Sequence, residues 1–571
     1  MNINKFRKWA NGPTFRAALL WLLPAAFLGY FFYQPLLALF RVVISPKWGF
    51  DLANLDLHKI WDTLRFTLAQ ASLSTLLTLI LGLPGAWLFA KFTFPGKNFL
   101  RVLTTLPFIL PTVVVAAGFN ALLGPRGWVN LALQVLFNFN TPPIQFLNTF
   151  GAILTAHVFY NTTIIIRVVS NAWSQQNIRL QHAARVLGAN PWRTFREITF
   201  PLLRPSILAA ALLVFLFNFT SFGVVLMLGG PQFATLEVEI YVQALHLLNL
   251  PMASMLSIIQ LIITLLITTS HNRLAGSQEM IISPRSQTIA IRKPRKGLQT
   301  IIVWILIITL FSLLIAPLAA LALRSVVKLE PNRGERGEIQ QGFTLQYYRE
   351  LGINRQGSLF YVPPIEAARN SIIFALITIL ITSMLGLLVA YALQERTLLN
   401  AVLDPLLMLP LGASAITLGL GFIIVFNRPP FSNITFPILL PIVHSLVALP
   451  FVVRTLSPTL QSIPDSLRSA AKALGASPLR VWLEVDLPLL TPALIVSTIF
   501  ALTISLGEFG ASTFLSRPAY PTLPVAIFRY ISQPGALNYG QALAMSTLLM
   551  VLCAGGIFII ECIQGTNKDI V

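Results

Sequence analysis

The chain has 571 residues, of which 55% are hydrophobic and only 11% are charged. About a quarter of the residues of a soluble protein are charged, so this composition excludes an ordinary soluble domain and indicates a polytopic membrane protein. The net charge of +20 does not indicate nucleic-acid binding, because the Lys and Arg residues stand in short clusters between apolar runs and form no basic folded domain.

Apolar stretches long enough to cross a lipid bilayer follow one another along the whole chain. A crossing helix needs about 20 mostly apolar residues. Twelve stretches qualify, near residues 17–42, 64–90, 99–123, 147–169, 206–229, 252–270, 301–323, 370–393, 400–426, 436–454, 492–515 and 540–561. The first follows Lys5, Arg7 and Lys8 and has no early small-residue cleavage site, so we predict an uncleaved spanning helix rather than a signal peptide.

The basic residues favour one orientation of these stretches. With the N-terminus in the cytoplasm, the loops near 91–101, 182–205 and 271–300 are cytoplasmic and basic, as the positive-inside rule expects. The segment 325–369 is then outside; its basic residues alternate with glutamates, and we interpret it as a soluble outer loop. We predict a multi-pass membrane protein whose N-terminus is cytoplasmic.

The polar stretch "HAARVLGANPWRTFREITFPLLRP", residues 182–205, predicts a compact helical unit. A helix that carries Ala183, Ala184 and Leu187 runs into Gly188, a residue suited to a left-handed helix end. Asn190 then stands where an N-cap is needed, and proline follows at the first helical position. The pattern predicts a short helix, a tight turn and a second helix.

Two further segments, Gly230–Pro251 and Arg517–Asn538, are too amphipathic and interrupted to cross a membrane. In "TLEVEIYVQALHLL", Leu236 and Ile240 follow helical spacing, while Glu237 lies off that stripe. We predict an outer helix that lies on the mouth of the bundle. It is either a docking surface for an external protein or a simple surface helix.

The chain contains an internal repeat. Gly188 and Gly475 are separated by 287 residues (475 − 188), and the same offset relates His157 to His444 without a gap. Each half then has six spans in the same orientation, so the predicted fold is an all-α polytopic membrane protein of two parallel six-helix transmembrane repeats, each with a cytoplasmic helical unit. The predicted divisions are a first transmembrane repeat at 1–271, a basic cytoplasmic linker at 272–300 and a second transmembrane repeat at 301–571.

The second half repeats the polar unit in "AAKALGASPLRVW", with Gly475 at the turn, Ser477 as the cap and Pro478 after it. In both copies an apolar ridge, Leu187 or Leu474, is flanked by small alanines and matching charges. One copy could simply cap neighbouring spans. Two gapless copies favour a docking function, because packing alone does not require the same exposed turn twice.

This pattern resembles the EAA loop of the permease subunits of binding-protein-dependent ABC importers, in which the loop is a coupling helix that docks into a cytoplasmic ATPase. His182 and Ser469 replace the leading glutamate of the signature, which leaves in question any salt bridge made by that residue. The resemblance implies contact with two ATPase subunits by Ala183, Ala184, Arg185, Leu187, Gly188, Pro201, Ala470, Ala471, Lys472, Leu474, Gly475 and Pro488.

The resemblance covers essentially the whole chain. Two permease repeats fused in one polypeptide are similar to the iron(III) and thiamine class of importers. The segments 221–245 and 505–531 look closer to the thiamine permeases than to the iron permeases. This implies a small substrate, thiamine before iron(III), delivered by an external or periplasmic substrate-binding protein. It also implies that the multi-pass chain lies in the bacterial cytoplasmic (inner) membrane.

The sequence carries no recognisable catalytic motif. The "PGKN" string at 95–98 lacks the glycine and the Ser or Thr of a phosphate-binding loop, and there is no His-Glu-x-x-His or nucleophile elbow. Cys553 and Cys562, the two cysteines, cannot form a thiolate metal site. We therefore expect a chain that is not an enzyme by itself and has no cofactor or metal, with ATP bound by the partner subunit.

A charge inside a bilayer is costly and so points to function. Glu508 stands between two glycines in the eleventh predicted span, and is either a pathway residue for a cationic substrate or a surface carboxylate paired with an Arg. The two repeat-related histidines either bond across the bundle or each bond a backbone carbonyl of their own half. The predicted pathway residues are Ser221, Phe222, Glu508, Phe509, His157 and His444.

The alternative function is that of a secondary transporter driven by an ion gradient, which can also have two six-span halves. Such a protein is expected to carry buried ion-coupling carboxylates or broken helices at the midplane, and Glu508 is the main candidate. A structural membrane protein is a third hypothesis, but it leaves the polar residues of the spans without a purpose.

Overall fold

A computed structural model describes residues 13–45, 56–230, 232–279, 293–294, 297–329, 342–353, 362–395, 397–427 and 436–566. In those ranges the chain is mostly helical, and Val327 and Phe343 form an isolated extended bridge. The basic N-terminus before residue 13, most of the predicted linker 272–300 and parts of the outer segment 325–369 lie outside the described residues.

Ten described helices are long and apolar enough to cross a membrane, and two bent pairs bring the crossings to twelve. We number them α1 Thr14–Ile44, α2 Leu57–Lys91, α3 Lys97–Ile109 with Thr112–Phe137, α4 Phe150–Ser174, α5 Pro191–Phe219, α6 Leu250–Leu274, α7 Leu298–Arg324, α8 Pro364–Ala392, α9 Leu398–Gly412 with Ala415–Phe426, α10 Pro437–Ser462, α11 Pro478–Gly507 and α12 Ala536–Gly556. The predicted all-α polytopic fold is confirmed, with ten candidate spans, or twelve when each bent pair is counted as one crossing.

The third and ninth crossings are broken, although the sequence analysis assigned an uninterrupted apolar stretch to each. The two parts of α3 meet at 112° and those of α9 at 99°. At both breaks the backbone turns extended, at Leu110 and Pro111 in α3 and at Ala413 and Ser414 in α9. Proline cannot donate a helical hydrogen bond, and the Ser414 hydroxyl caps the next helix by accepting from the Ile416 and Thr417 backbone.

The two halves of the bundle interlock. Helix α1 packs against α8 and α9 of the second half, and α7 packs against α3 of the first. A Cβ atom at Gly118 would approach the Pro317 carbonyl to 2.9 Å, and one at Gly421 would approach the Pro35 carbonyl to 3.0 Å. Glycine therefore permits close contact of backbones between halves, and the two repeats share one core.

The prediction of an outer helix on the mouth is wrong. Leu236–Tyr241 forms a helix as expected, but all its side chains are buried, including Glu237 and Glu239. The helix is held between α6 of its own half and α9 of the other. The two glutamates give the helix a polar face in the sequence, but both are buried because they have polar partners inside the protein. The repeat-related helix Leu523–Ile531 is largely buried in the same way.

Candidate functional site

The repeated polar unit has the local structure that its sequence predicts. In the first half, Ile178–Val186 ends before Gly188, whose φ is +85°. The Asn190 side chain accepts a hydrogen bond from the Arg193 backbone (2.7 Å) and caps the next helical turn. In the second half, Asp465–Ala473 is followed by Gly475, also at φ +85°. The predicted turns and caps are confirmed.

Each unit then enters a transmembrane helix through a π-helical turn, at Phe195–Thr199 in α5 and at Trp482–Asp486 in α11. A π turn inserts one extra residue into a helix and is frequent at functional sites. Pro201 and Pro488, both exposed, stand directly after these turns. The two units thus share their caps, their turn and their irregular entry into the span.

The tips of the two units project away from the bundle. Leu187 is 87% exposed and Leu474 is 89% exposed. A Cβ atom added at either turn glycine would meet nothing within 4 Å. Ala183, Arg185, Ala470 and Lys472 are exposed as well, whereas Ala184 and Ala471 are half-buried. One exposed leucine is ordinary, but two at equivalent tips form matching apolar surfaces.

A second candidate site is a cavity of about 400 Å³ between the two halves. Four interrupted helices meet there, because the breaks in α3 and α9 and the ends of α5 and α11 all contribute lining residues. Phe217 and Phe500, which precede the ends of α5 and α11, line the side nearer the polar units. The cavity is therefore built at the breaks in the spans.

Glu508 occupies one of these breaks. Helix α11 ends at Gly507, and the Glu508 carboxylate accepts from the backbone N–H groups of Ala511 and Ser512, each at 2.9 Å. It also lies 3.5 Å from His444 Nε2 and is only 8% exposed. It lines the cavity, so the alternative of a surface carboxylate paired with an Arg is wrong.

The two histidines stabilise the breaks within their own halves. His157 Nε2 lies 2.8 Å from Ser221 Oγ, and its Nδ1 lies 2.6 Å from Gln70. His444 Nδ1 lies 2.8 Å from Ser505 Oγ. Neither expected arrangement is right: the partners are side chains of the same half, not a residue across the bundle or a backbone carbonyl. His157 and Ser221 line the cavity.

Phe222 and Phe509 meet across the interface between the halves. Their rings stack with centroids 5.4 Å apart, and both residues are buried. Tyr241 packs on the first ring and Phe528 on the second, each at 5.4 Å. The repeat offset of 287 residues relates both pairs (509 − 222 and 528 − 241). We call these four rings the aromatic wall. Phe222 and Phe509 line the cavity at the ends of α5 and α11, and Tyr241 and Phe528 pack behind them.

The sequence analysis missed Glu237, which also lines this cavity and is 1% exposed. Its carboxylate accepts a hydrogen bond from Ser414 Oγ of the second half (2.7 Å) and another from Gln260 Nε2. The available signal was a glutamate set directly between Leu236 and Val238, since apolar neighbours on both sides are unusual for a solvent-exposed carboxylate.

The match to known families decides the class of the protein. Residues 80–280 and 368–564 each match the family described as binding-protein-dependent transport system inner membrane component. The chain belongs to this family. The double match confirms the fused permease repeat, and the protein is a multi-pass inner-membrane permease of the ABC type rather than a catalytic enzyme.

Relatives of this permease cover nearly its whole length. The thiamine transport system permease protein ThiP of Escherichia coli (strain K12) is 26% identical over 89% of this chain and 90% of its own. ThiP of Haemophilus influenzae (strain Rd) is 25% identical over 86% of each chain. The probable ABC transporter permease protein y4fN of Sinorhizobium fredii is 29% identical over 88% of this chain and 87% of its own.

Family membership also decides between the sequence-based alternatives. Broken helices and a buried carboxylate at Glu237 are features expected of an ion-driven transporter, and both are present. The family match nevertheless assigns the chain to binding-protein-dependent transport, which implies a substrate-binding protein and ATPase partners. Broken helices therefore do not distinguish the two classes of transporter.

The two polar units of this permease are attached differently. Arg468 Nε donates to Asp486 Oδ1 (2.7 Å), and Tyr391 donates to Asp486 Oδ2 (3.2 Å). Burial alone lowers the pKa of the Arg468 guanidinium, but the hydrogen bond and charge of Asp486 outweigh it and raise that pKa. At the equivalent place in the first half, Gln181 makes only a neutral contact of 3.5 Å with Gln176. The second unit is therefore fastened by an ion pair.

Replacing Arg468 by Met is expected to destabilise the second unit selectively. The change leaves the buried Asp486 carboxylate without its cation, at a cost of roughly 2 kcal/mol. Amide hydrogen exchange in residues 465–473 should then be roughly 30-fold faster. The matched change Gln181→Met should alter exchange in residues 178–186 by less than about threefold, because no ion pair is broken. Equal effects in both units would contradict the asymmetry.

Proposed function

We propose that this chain is the membrane-spanning permease of an ATP-driven importer for thiamine. Two cytoplasmic ATPase subunits bind and hydrolyse ATP, one below each polar unit, and an external or periplasmic binding protein delivers the substrate. The observation that carries the proposal is the pair of repeat-related tips at Leu187 and Leu474. Each tip exposes apolar surface that an ATPase subunit could cover. The N-terminus is then cytoplasmic.

Closing of the ATPases changes the relative position of the two halves at the helix breaks. The pathway residues that act there are Ser221, Phe222, Glu508, Phe509, His157 and His444. The names of the relatives support thiamine as the substrate. The cavity lining, which includes seven aromatic residues, favours an organic ring system over a bare metal ion. Iron(III) remains the second candidate, to be tested beside thiamine.

The proposal is tested with the complete importer in proteoliposomes. We expect uptake of radiolabelled thiamine only when the binding protein, the ATPase and enclosed ATP are all present. A proton gradient without ATP should give no uptake above that of empty vesicles. ATP-dependent uptake of iron(III) instead of thiamine would reassign the substrate. Uptake that follows the proton gradient alone, with no ATPase present, would refute the proposed mechanism.

A further inference from the structure

The charge on the cavity wall is of one sign. The described lining residues include two carboxylates, Glu237 from the first half and Glu508 from the second, and no Lys or Arg. The two acidic groups therefore reach the same space from opposite repeats. An isolated carboxylate removed from water is costly unless a positive charge or several hydrogen bonds compensate it, so the partners of each carboxylate matter.

Glu237 is held by neutral groups only, the Ser414 hydroxyl and the Gln260 amide. Among the described residues, no Lys or Arg lies within ion-pair distance of it. Glu508 accepts two backbone N–H groups and the Ser512 hydroxyl, with His444 at 3.5 Å. Glu508 thus also has a structural task at its helix break, whereas Glu237 lines the cavity with only neutral partners among the described residues.

A second glutamate on the same short helix provides the comparison. Glu239 is also buried, but Lys59 Nζ lies 2.6 Å from its carboxylate and Gln243 donates to it at 2.7 Å. Glu239 does not line the cavity. Of two buried glutamates two residues apart, the one away from the cavity has a lysine partner, and the one that lines it has none. Because both glutamates lie on the same short helix, burial of that helix alone does not explain why only one of them has a lysine partner.

The remaining lining is aromatic. Besides Phe222 and Phe509, the aromatic lining residues of the cavity are Phe108, Phe217, Phe451, Phe500 and Tyr160. Phe108 is 40% exposed. Ring faces attract cations through their quadrupole and also stack on planar ligands. Two carboxylates combined with several rings match a ligand that carries both a positive charge and an aromatic group.

We propose that Glu237 and Glu508, with the aromatic lining, form a binding site for an aromatic organic cation inside the permease. Glu237 supplies the charge selectivity, and Glu508 adds negative potential from the opposite half. The assignment of this cation as the transported substrate rests on the proposed function, whereas the preference of the cavity for cations does not.

The experiment uses the full permease with its ATPase subunits in nanodiscs of phosphatidylcholine, whose net charge is zero. Binding of benzyltrimethylammonium and of benzoate, a cation and an anion of similar size, is measured by calorimetry, with empty nanodiscs subtracted. Thiamine is then added as a competitor. Wild-type protein should bind the cation at least about tenfold more tightly than the anion, the ratio expected for about 1.4 kcal/mol of charge selectivity.

E237Q should weaken cation binding about tenfold without weakening benzoate binding, because it removes the charge and keeps the shape. E237D, which keeps the charge, should stay within about threefold of wild type. The matched control E239Q should stay within about twofold, because Glu239 does not line the cavity.

Equal binding of the cation and the anion by the wild type, or unchanged cation binding in an intact E237Q complex, would overturn the site even if thiamine transport is normal. Cation binding that depends on Glu237 but is not displaced by thiamine would support the site and count against thiamine as the substrate. If the E237Q complex does not assemble, the site is tested by whether the wild type binds the cation more tightly than the anion.

Discussion

Replacement of Leu187 and Leu474 together by aspartate is expected to remove the ATPase from the purified permease and to abolish transport. Each leucine is an exposed apolar tip on a rigid, capped unit. Burial of such a tip in a partner's groove is worth about 2 kcal/mol, so each contact should weaken roughly 30-fold. A charge in the groove adds a desolvation cost. The measurement is the amount of ATPase that co-purifies with the permease.

Leu345→Asp is the matched control for that experiment. Leu345 is 59% exposed in the segment between α7 and α8, outside every candidate span, so the substitution also adds a charge to an exposed apolar position. It should leave ATPase binding unchanged. A parallel pair, Gly188→Val with Gly475→Val, should also weaken binding, because each adds bulk at a turn held at φ +85°. Persistent ATPase binding and transport in both double variants would refute the coupling function.

Replacement of Phe222 and Phe509 together by alanine is expected to open the aromatic wall. The two rings stack across the interface and are packed by Tyr241 and Phe528. Removing a buried phenylalanine ring costs about 3 to 5 kcal/mol and leaves a cavity. Here the new space joins the existing one, so proteoliposomes without ATP should lose trapped radiolabelled thiamine at least about tenfold faster.

The control for the wall is Phe119→Ala. Phe119 is buried and packs on Phe146 and Phe159, all within the first half and outside the cavity lining. Its loss should lower the thermal stability of the permease by a similar amount per ring without raising leakage. If Phe119→Ala leaks as much as the double wall variant, general loosening explains the leak. If the wall variant retains thiamine as wild type does, the rings do not close the pathway.

The tips and the wall lie at opposite ends of the same helices. The first tip precedes α5 and Phe222 follows it, and a 29-residue helix is about 40 Å long. The same holds for α11, which separates the second tip from Phe509. In the proposed mechanism, α5 and α11 connect movement of the tips to the wall. Loss of the Leu187 and Leu474 contacts should leave the wall closed, so the leak test and the ATPase test report on separate parts of the mechanism.

The sequence predicted those features of the structure that depend on contacts between residues close together in the chain. The left-handed turn at Gly188, the cap at Asn190 and the apolar lengths of the crossings depend on residues a few positions apart, and all were predicted. The repeat offset also identified Phe222 and Phe509 as equivalent positions of the two halves. Family membership followed from such short patterns together with their duplication.

Tertiary structure alone decided the cavity and the joining of the halves. Glu237 meets Ser414 across 177 residues of chain, and α1 packs on α8 and α9 of the second half as well as on α6 of its own. Neither contact has a local periodicity, because each depends on how two long, uniformly apolar repeats fit together. Such helices are apolar on every side, so their sequence reveals that they cross a membrane but not which face meets which neighbour. The packing of these helices places Glu237, which looks exposed in the sequence, in a buried position on the wall of the cavity.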